Sequence, residues 1–320
     1  MGATTADRDE FVRLTDPYRR EPLAHCYRML GAVDEAEDLV RETYLRAWRS
    51  HDGYEGRASS RTWLHRIATN TCLTALESRA RRPLPSGLGG PAEAPEEPLT
   101  APLTDVPWLQ SLPDVLVDPV SVVAARGSLR LALVAALQNV PPRQRAVLIL
   151  RDVPAWRAAE VASLLGTTTA AVKSSLQRAR ARLDEAAPDE DLVEEPEGAA
   201  DREVPDRYVA AFENADLDSL TDLLQDGVEL EMPPFAQWYS GRTDVLRFLG
   251  ARVHEKGALR MLPTRANGQP AVAMDVRGAD GVFRGHFVQV LTVRKDSLAR
   301  ITAFLDPRAL DRFGLPKELS

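Results

Sequence analysis

Cysteine is scarce in this 320-residue chain. The two present, Cys26 and Cys72, have no Cys or His at ligand spacing, which excludes a disulfide framework and a zinc module and leaves two buried small hydrophobes. No apolar run is long enough to span a bilayer, and the N-terminus, MGATTADRDE, lacks the basic-then-apolar order of a signal peptide. The expectation is a cytoplasmic protein with no membrane partner. A catalytic motif is lacking as well, so the chain is expected to be no enzyme and to need no cofactor and no metal. A general excess of cations is also missing, since the formal net charge is -7.

That average conceals its distribution. Residues 128–187 hold 9 Lys and Arg against 4 Asp and Glu, and residues 57–82 hold 6 Arg against 1 Glu. The acid lies between, with 6 against 1 in residues 83–127 and 9 against 1 in residues 188–206, whereas the last 114 residues balance at 15 of each sign. Two basic modules separated by acidic tethers fit a polyanion partner better than the net charge suggests. Proline marks the same boundaries: residues 83–119 contain 9 of the 23 prolines, which rules out continuous helix there. The predicted organisation is a helical module at 7–82, a Pro-rich linker at 83–120, a second helical module at 121–187, an acidic linker at 188–202 and a third module at 203–320.

The second module carries the sharpest pattern. AAEVASLLGTTTAAVKSSLQRARARL, from Ala158 to Leu183, reads as a helix, a glycine turn at Gly166 and a second helix, with Thr167 to Thr169 available as caps. Val172, Leu176, Ala179 and Leu183 share one buried stripe. Ser174, Gln177 and Arg178 fall outward, with Lys173 and Arg180 on the flanks. Small polar and amide groups toward a groove, with cations toward phosphates, suit a recognition helix on promoter DNA. A solvated basic helix in an ordinary bundle is the bland alternative.

The first module is helical in pattern. Asp34 to Trp48 places Ala36, Leu39, Val40, Thr43, Tyr44, Ala47 and Trp48 on a wide apolar face, with acids crowded at the N-terminal end. After the loop GYEGRASS comes an apolar helix that ends on Arg79, Arg81 and Arg82 before Pro83. A basic helix preceded by aromatic and hydroxyl residues suits single-stranded DNA.

In order, EAEDLVRETYLRAWRS, GYEGRASSRTWLHRIATNTCL and VPPRQRAVLILRDVPAWRAAEVASLLGTTTAAVKSSLQRARARL closely resemble bacterial sigma factors of the extracytoplasmic-function (ECF) type over about residues 10–187. The resemblance implies a sigma region 2 helical bundle and a region 4 helix-turn-helix. It also implies two partners, promoter DNA and the RNA polymerase core, through the clamp helices of its largest subunit and the β flap. Asp38, Arg41 and Glu42 would then lie on the helix that meets the clamp. Tyr54, Arg57, Arg61 and Asn70 would belong to a pocket for a flipped non-template base, with Arg79 and Arg81 as further region 2 DNA contacts. Polymerase would do the chemistry.

The third module alternates helices containing Tyr208 and Phe212 with strand patterns in AVAMDV, FRGHFVQVLTV and LARITAFLD. It resembles the SnoaL-like cone, and the linker sequence PWLQSLPD around Trp108 resembles the short tryptophan motif of ECF factors with this tail. The fold class expected is therefore multidomain, two all-α sigma domains followed by an α+β SnoaL-like domain. The function implied is an alternative sigma factor with a built-in regulator, held by an intramolecular contact or a small ligand. Trp108, Trp238, Tyr239, Arg265, Asn267, His286 and Asp306 are the candidate pocket or interface residues. Two other readings stay open: a ligand-responsive helix-turn-helix repressor, and a DNA-binding module fused to a SnoaL-like enzyme.

Overall fold

A computed structural model describes residues 5–54, 56, 59–117, 127–186, 200–252, 255–306, 308–316 and 318–319. They form two compact units. One comprises residues up to Arg81 together with Leu116–Leu192, and the other comprises Arg82–Val115 together with the chain from Val193 onward.

The helical unit begins with α1 (Thr5–Thr15), α2 (Glu21–Leu30), α3 (Val33–Arg49) and α4 (Ser60–Leu76). Pro22 in the first turn of α2 sacrifices an N–H that would have had no helical partner, and Gly31, at φ +72°, closes the helix by donating to Tyr27 O at 2.7 Å. Asp34 and Glu35 occupy the first turn of α3, where the helix dipole favours them. Ser59 caps α4 by accepting from Thr62 N–H at 3.1 Å. Phe11, Ala47 and Leu64 meet in a core flanked by Tyr44, Trp48, Trp63 and Ile67. Cys26 and Cys72 are free thiols buried in this bundle.

The second part of the unit contains α5 (Leu131–Leu137), α6 (Pro142–Asp152), α7 (Ala158–Leu165) and α8 (Thr169–Ala186). Val147, Leu150, Trp156, Val161, Leu164 and Val172 form its core. Arg145 of α6 ties the two parts together. Only 3% exposed, it donates to Met29 O at the end of α2, to Gln138 Oε1 at 2.9 Å and to Val140 O at 3.1 Å. Burial lowers its pKa to about 10, so the guanidinium keeps its charge at neutral pH and offsets its desolvation through carbonyl acceptors. Arg28, also buried, donates from Nε to Ser128 Oγ at 3.1 Å.

The C-terminal unit is α+β. Its helices are α9 (Ala200–Glu213), α10 (Leu217–Leu223), α11 (Arg242–Gly250) and α12 (Arg308–Phe313). Its strands are β1 (Leu224–Glu231), β2 (Trp238–Ser240), β3 (Leu259–Ala266), β4 (Gln269–Arg277), β5 (Phe283–Arg294), β6 (Ser297–Phe304) and β7 (Glu318–Leu319). The sheet order is β2-β1-β6-β5-β4-β3, with β7 pairing β5. The strand patterns predicted for AVAMDV, FRGHFVQVLTV and LARITAFLD become β4, β5 and β6, paired antiparallel in sequence order. β1 joins β6 in parallel, a pairing that alternation cannot reveal. Tyr208, Phe212, Leu220, Tyr239, Phe248, Val272, Met274, Leu291 and Ile301 fill the space between helices and sheet.

The Pro-rich segment belongs to this unit. Trp238 Nε1 donates to Gly89 O at 2.9 Å, Ser86 N–H to Glu231 Oε1 at 3.0 Å, and Thr100 N–H to Gln237 Oε1 at 2.6 Å. Arg247 pairs with Glu96, and Arg252 reaches Pro95 O and Glu97 O. At its far end, Leu112 N–H donates to Asn267 Oδ1 at 2.9 Å, Asn267 N–H returns the bond to Leu112 O at 2.8 Å, and Gly268 N–H reaches Asp114 Oδ1. An extended proline-rich chain leaves its backbone groups unpaired within itself, and the sheet domain supplies the partners.

Candidate nucleic-acid interface

The turn between α7 and α8 is built from its sequence. Glu160 accepts from Arg157 N–H at 2.6 Å and fixes the start of α7. Gly166, at φ +61°, and Thr167 close it on Ala162 O. Thr168 Oγ1 accepts from Ala171 N–H at 3.1 Å and starts α8. Val172 and Ala179 are buried, while Leu176 and Leu183 are half-buried on the same stripe. Lys173, Ser174, Gln177, Arg178 and Arg180 are all exposed. Arg178 donates to Ser174 Oγ at 2.6 Å and to Ser175 Oγ at 3.3 Å, which sets its guanidinium along the exposed face. Arg180 pairs with Asp152 at 2.8 Å.

The cations of the first helical bundle are arranged differently. Arg61 donates to Glu21 Oε2 at 2.7 Å, Arg79 pairs with Glu35, and Arg81 donates to Asn139 Oδ1. Asn70 is exposed on α4, and Arg57 lies outside the described residues. Tyr54 stacks on Trp63 with centroids 4.7 Å apart. Together with Ser59, Thr62 and Arg66 they line a cleft of about 840 Å³ whose other wall is Glu160, Ser163 and Leu164 of α7. A stacked aromatic pair beside hydroxyls and a guanidinium offers a base both π surface and hydrogen bonds. On α3, Arg41 pairs with Asp38 at 2.5 Å and Glu37 at 3.5 Å, and Glu42 with Arg46 at 2.7 Å, giving an exposed row of internally paired charges.

The same unit holds a network that sequence patterns do not disclose. Glu21 Oε2 meets His65 Nε2 at 3.2 Å. The His65 ring stands edge-on to His25 at 5.2 Å and to Trp156 at 5.4 Å, and His25 Nε2 meets Thr69 Oγ1 at 2.9 Å. Burial, with His65 and Arg28 nearby, holds His25 well below the usual imidazole range and therefore neutral. Burial alone would raise Glu21, but hydrogen bonds from His65 and Arg61 bring its carboxyl below the usual range. His25 and His65 sit on apolar helix faces at sites of helical spacing; that would have been the only hint.

Of the candidates in the C-terminal unit, Trp108 and Asp306 line one cavity, and Trp238, Tyr239, Arg265, Asn267 and His286 are not part of its lining. The Tyr239 hydroxyl is buried without a hydrogen-bond partner among the described residues, so no carboxylate there accepts its proton. His286 is exposed on β5, and Asp306 accepts from Arg308 Nε at 3.0 Å. Trp238, Arg265 and Asn267 hold the Pro-rich segment, Arg265 through Asp114 at 3.5 Å. Trp108 belongs to that segment and donates from its indole to Leu103 O at 2.9 Å. Among the described residues, no group of His, Cys, Asp and Glu could hold a metal ion and no helix is long and apolar enough to cross a membrane.

Comparison with known proteins accounts for this arrangement. The family model for Sigma-70 region 2 matches residues 14–82, and that for Sigma-70, region 4 matches residues 130–183. The ECF RNA polymerase sigma factor SigG of Mycobacterium tuberculosis is 48% identical over 318 residues, 98% of this chain and 85% of the relative. SigJ of the same organism is 31% identical over 245 residues, 75% of this chain and 72% of that protein. The crystal structure of SigJ superposes with a TM-score of 0.61 at 24% identity, covering 97% of this chain and all of that one, and it shares the fold: helical region 2 and region 4 domains, then an α+β SnoaL-like domain. The chain thus belongs to the family of extracytoplasmic-function RNA polymerase sigma factors.

Proposed function

We propose that this chain binds core RNA polymerase and directs initiation from selected promoters, and that its C-terminal unit regulates that activity by holding the segment between regions 2 and 4. The observation that carries the regulatory reading is the seam along that segment, from Ser86 on Glu231 to Leu112 on Asn267. The held segment begins where region 2 ends and stops shortly before region 4, so whatever fixes it limits how far the two DNA-contacting parts can separate. Exposed Lys173, Ser174, Gln177, Arg178 and Arg180 read the upstream element. Tyr54, stacked on Trp63, receives a base of the melted strand, with Arg57, Arg61 and Asn70 as further contacts to that strand and Arg79 and Arg81 on its backbone. Asp38, Arg41 and Glu42 meet the clamp of the polymerase, and region 4 meets its β flap. The cleft beside Trp63 has residues of α7 as its other wall, so α7 lies within reach of a strand bound there.

A catalytic role for the SnoaL-like domain has less support. Its interior is filled by the side chains around Tyr208, Phe248 and Leu291, and Tyr239, His286 and Asp306 lie apart from one another in the hydrogen-bond pattern. A free-standing repressor is disfavoured by family membership.

The test is run-off transcription with purified core enzyme, comparing the full chain with Asn267→Gly. Asn267 sits at φ +59°, so glycine keeps the backbone and removes the side-chain carbonyl that holds Leu112. The expected result is promoter-selective initiation by both proteins, with output from Asn267→Gly changed severalfold. Failure of the full chain to form holoenzyme would end the sigma reading, and identical output from the two would end the regulatory one.

A further inference from the structure

The seam contains a cavity that none of the roles above uses. It has a volume of about 380 Å³ and lies beyond the C-terminal ends of the parallel strands β1 and β6, between the residues around Trp108 and the turn leading into α12. That volume falls within the roughly 300–1,000 Å³ of small-molecule sites. It is separate from the space between helices and sheet, which is packed with side chains.

Its walls are chemically divided. Trp108, Pro233, Pro234 and Phe304 supply apolar surface, and because the Trp108 indole N–H is already engaged with Leu103 O, its ring offers only its faces and edge. Among the lining residues, three are arginines, Arg82, Arg308 and Arg312, against one carboxylate, Asp306. Asp306 does not simply cancel them: it accepts from the backbone N–H and Nε of Arg308 and so orients that guanidinium. Burial alone would raise the Asp306 carboxyl, but Arg308, with Arg312 nearby, brings it below the usual range. Ser111, 1% exposed and also in the lining, has a hydroxyl with no hydrogen-bond partner among the described residues. A buried hydroxyl without a partner is costly, and a bound ligand at the cavity would satisfy it.

We infer that this cavity binds a small organic anion, an aromatic or aliphatic body carrying one carboxylate or phosphate group, with the body against Trp108 and Phe304 and the charge among Arg82, Arg308 and Arg312. Planar guanidinium groups match both oxyanions, and a buried hydroxyl donor adds direction. Because the walls come from both the Pro-rich segment and the sheet domain, an occupant fastens one to the other and stabilises the closed seam by mass action. That consequence rests on the regulatory reading above; the binding itself does not.

The experiment is isothermal titration calorimetry of the full-length protein, without polymerase. The probes are benzoate, 2-naphthoate and phenyl phosphate, each beside its neutral counterpart, benzyl alcohol, 2-naphthalenemethanol and phenol, with inorganic phosphate as a further probe. The expected result is saturable one-to-one binding of at least one organic anion, tenfold or more tighter than its neutral counterpart and than inorganic phosphate. The doubly substituted Arg308→Gln/Arg312→Gln protein should lose tenfold or more, and Ser111→Ala severalfold. Arg284→Gln, at an exposed pair with Asp280 elsewhere on the unit, should bind as the parent does. Arg308 is 84% exposed as a side chain, so its replacement spares the fold; if the double variant nonetheless unfolds, Ser111→Ala and the neutral counterparts decide. Absence of saturable binding by all three organic anions overturns the inference, as does equal binding of the neutral compounds or of inorganic phosphate, or equal loss in Arg284→Gln. A protein that binds the anion but shows no change in transcription with it retains the site and loses the regulatory consequence.

Discussion

The basic end of region 2, residues 57–82, and region 4 hold their cations differently. On α8, Lys173 and Arg178 stand on an exposed face, with Arg178 braced by neutral hydroxyls, so of its cations Arg180 is the one that would have to leave a carboxylate, Asp152, to meet DNA. In region 2, Arg61 is committed to Glu21 and Arg79 to Glu35, so on the proposed reading each would exchange an internal carboxylate for a phosphate. Charge counted along the sequence measures how many cations a segment has. It does not measure how many are available, and the comparison predicts that region 4 engages duplex DNA first, with region 2 following as its pairs are released.

The largest effect expected comes from removing what keeps the two surfaces on one frame. Arg145→Leu deletes the buried donor to Met29, Gln138 and Val140, leaving their carbonyls unpaired, and should cost about 3–5 kcal/mol, read as a lowered urea midpoint of the full chain. Next is the recognition face: Arg178→Ala should lose about 1–3 kcal/mol on its preferred promoter and relax sequence choice, while Lys173→Ala weakens all sequences alike, as measured across promoter variants. Parallel behaviour of the two would contradict the division between base and phosphate contacts. Thr168→Ala, which removes the cap of α8, should cost about 1 kcal/mol of stability in the same urea assay. The smallest change sharpens the contrast directly. Glu21→Gln frees Arg61 and should raise affinity for single-stranded non-template DNA a few-fold, with a salt slope steeper by about 0.7 for the added phosphate contact; an unchanged slope would show that the pair never limited binding.

Acid tests the network of Glu21, His65 and His25. His25 is held neutral in the fold, whereas in the unfolded chain it takes up a proton near its ordinary pKa of about 6.5. Below that pH the unfolded state binds the extra proton, so stability falls as pH drops from about 6.5 toward the lowered folded value. Glu21, depressed in the fold, keeps its contribution above the ordinary carboxylate pKa and loses it only at lower pH. The thermal midpoint should therefore decline between pH 7 and 5.5 in the parent protein and less in His25→Gln.

Much of this was legible in the residues. The helix-turn-helix follows from Gly166, the threonines after it and the stripe from Val172 to Leu183, because local caps and periodicity fix a short motif almost alone. The strands β4 to β6 were readable for the same reason. The seam was not: the Pro-rich segment looks like a free tether because its partners, Glu231, Gln237 and Asn267, lie more than a hundred residues away and carry no periodic signal. Trp238, Arg265 and Asn267 stood out as polar or aromatic candidates for a pocket or an interface, and they are contacts that hold that segment. Glu21, His65 and Trp156 escaped notice because their meeting depends on how two helical bundles pack, which no single stretch of sequence encodes.

Permanganate footprinting of a promoter bound by core polymerase plus the full chain tests the central claim most directly. The account predicts reactive thymines near the start site only when the chain is present, at promoters whose selection is altered by Arg178→Ala. A duplex that stays closed at every promoter, or opens equally without the chain, would contradict it.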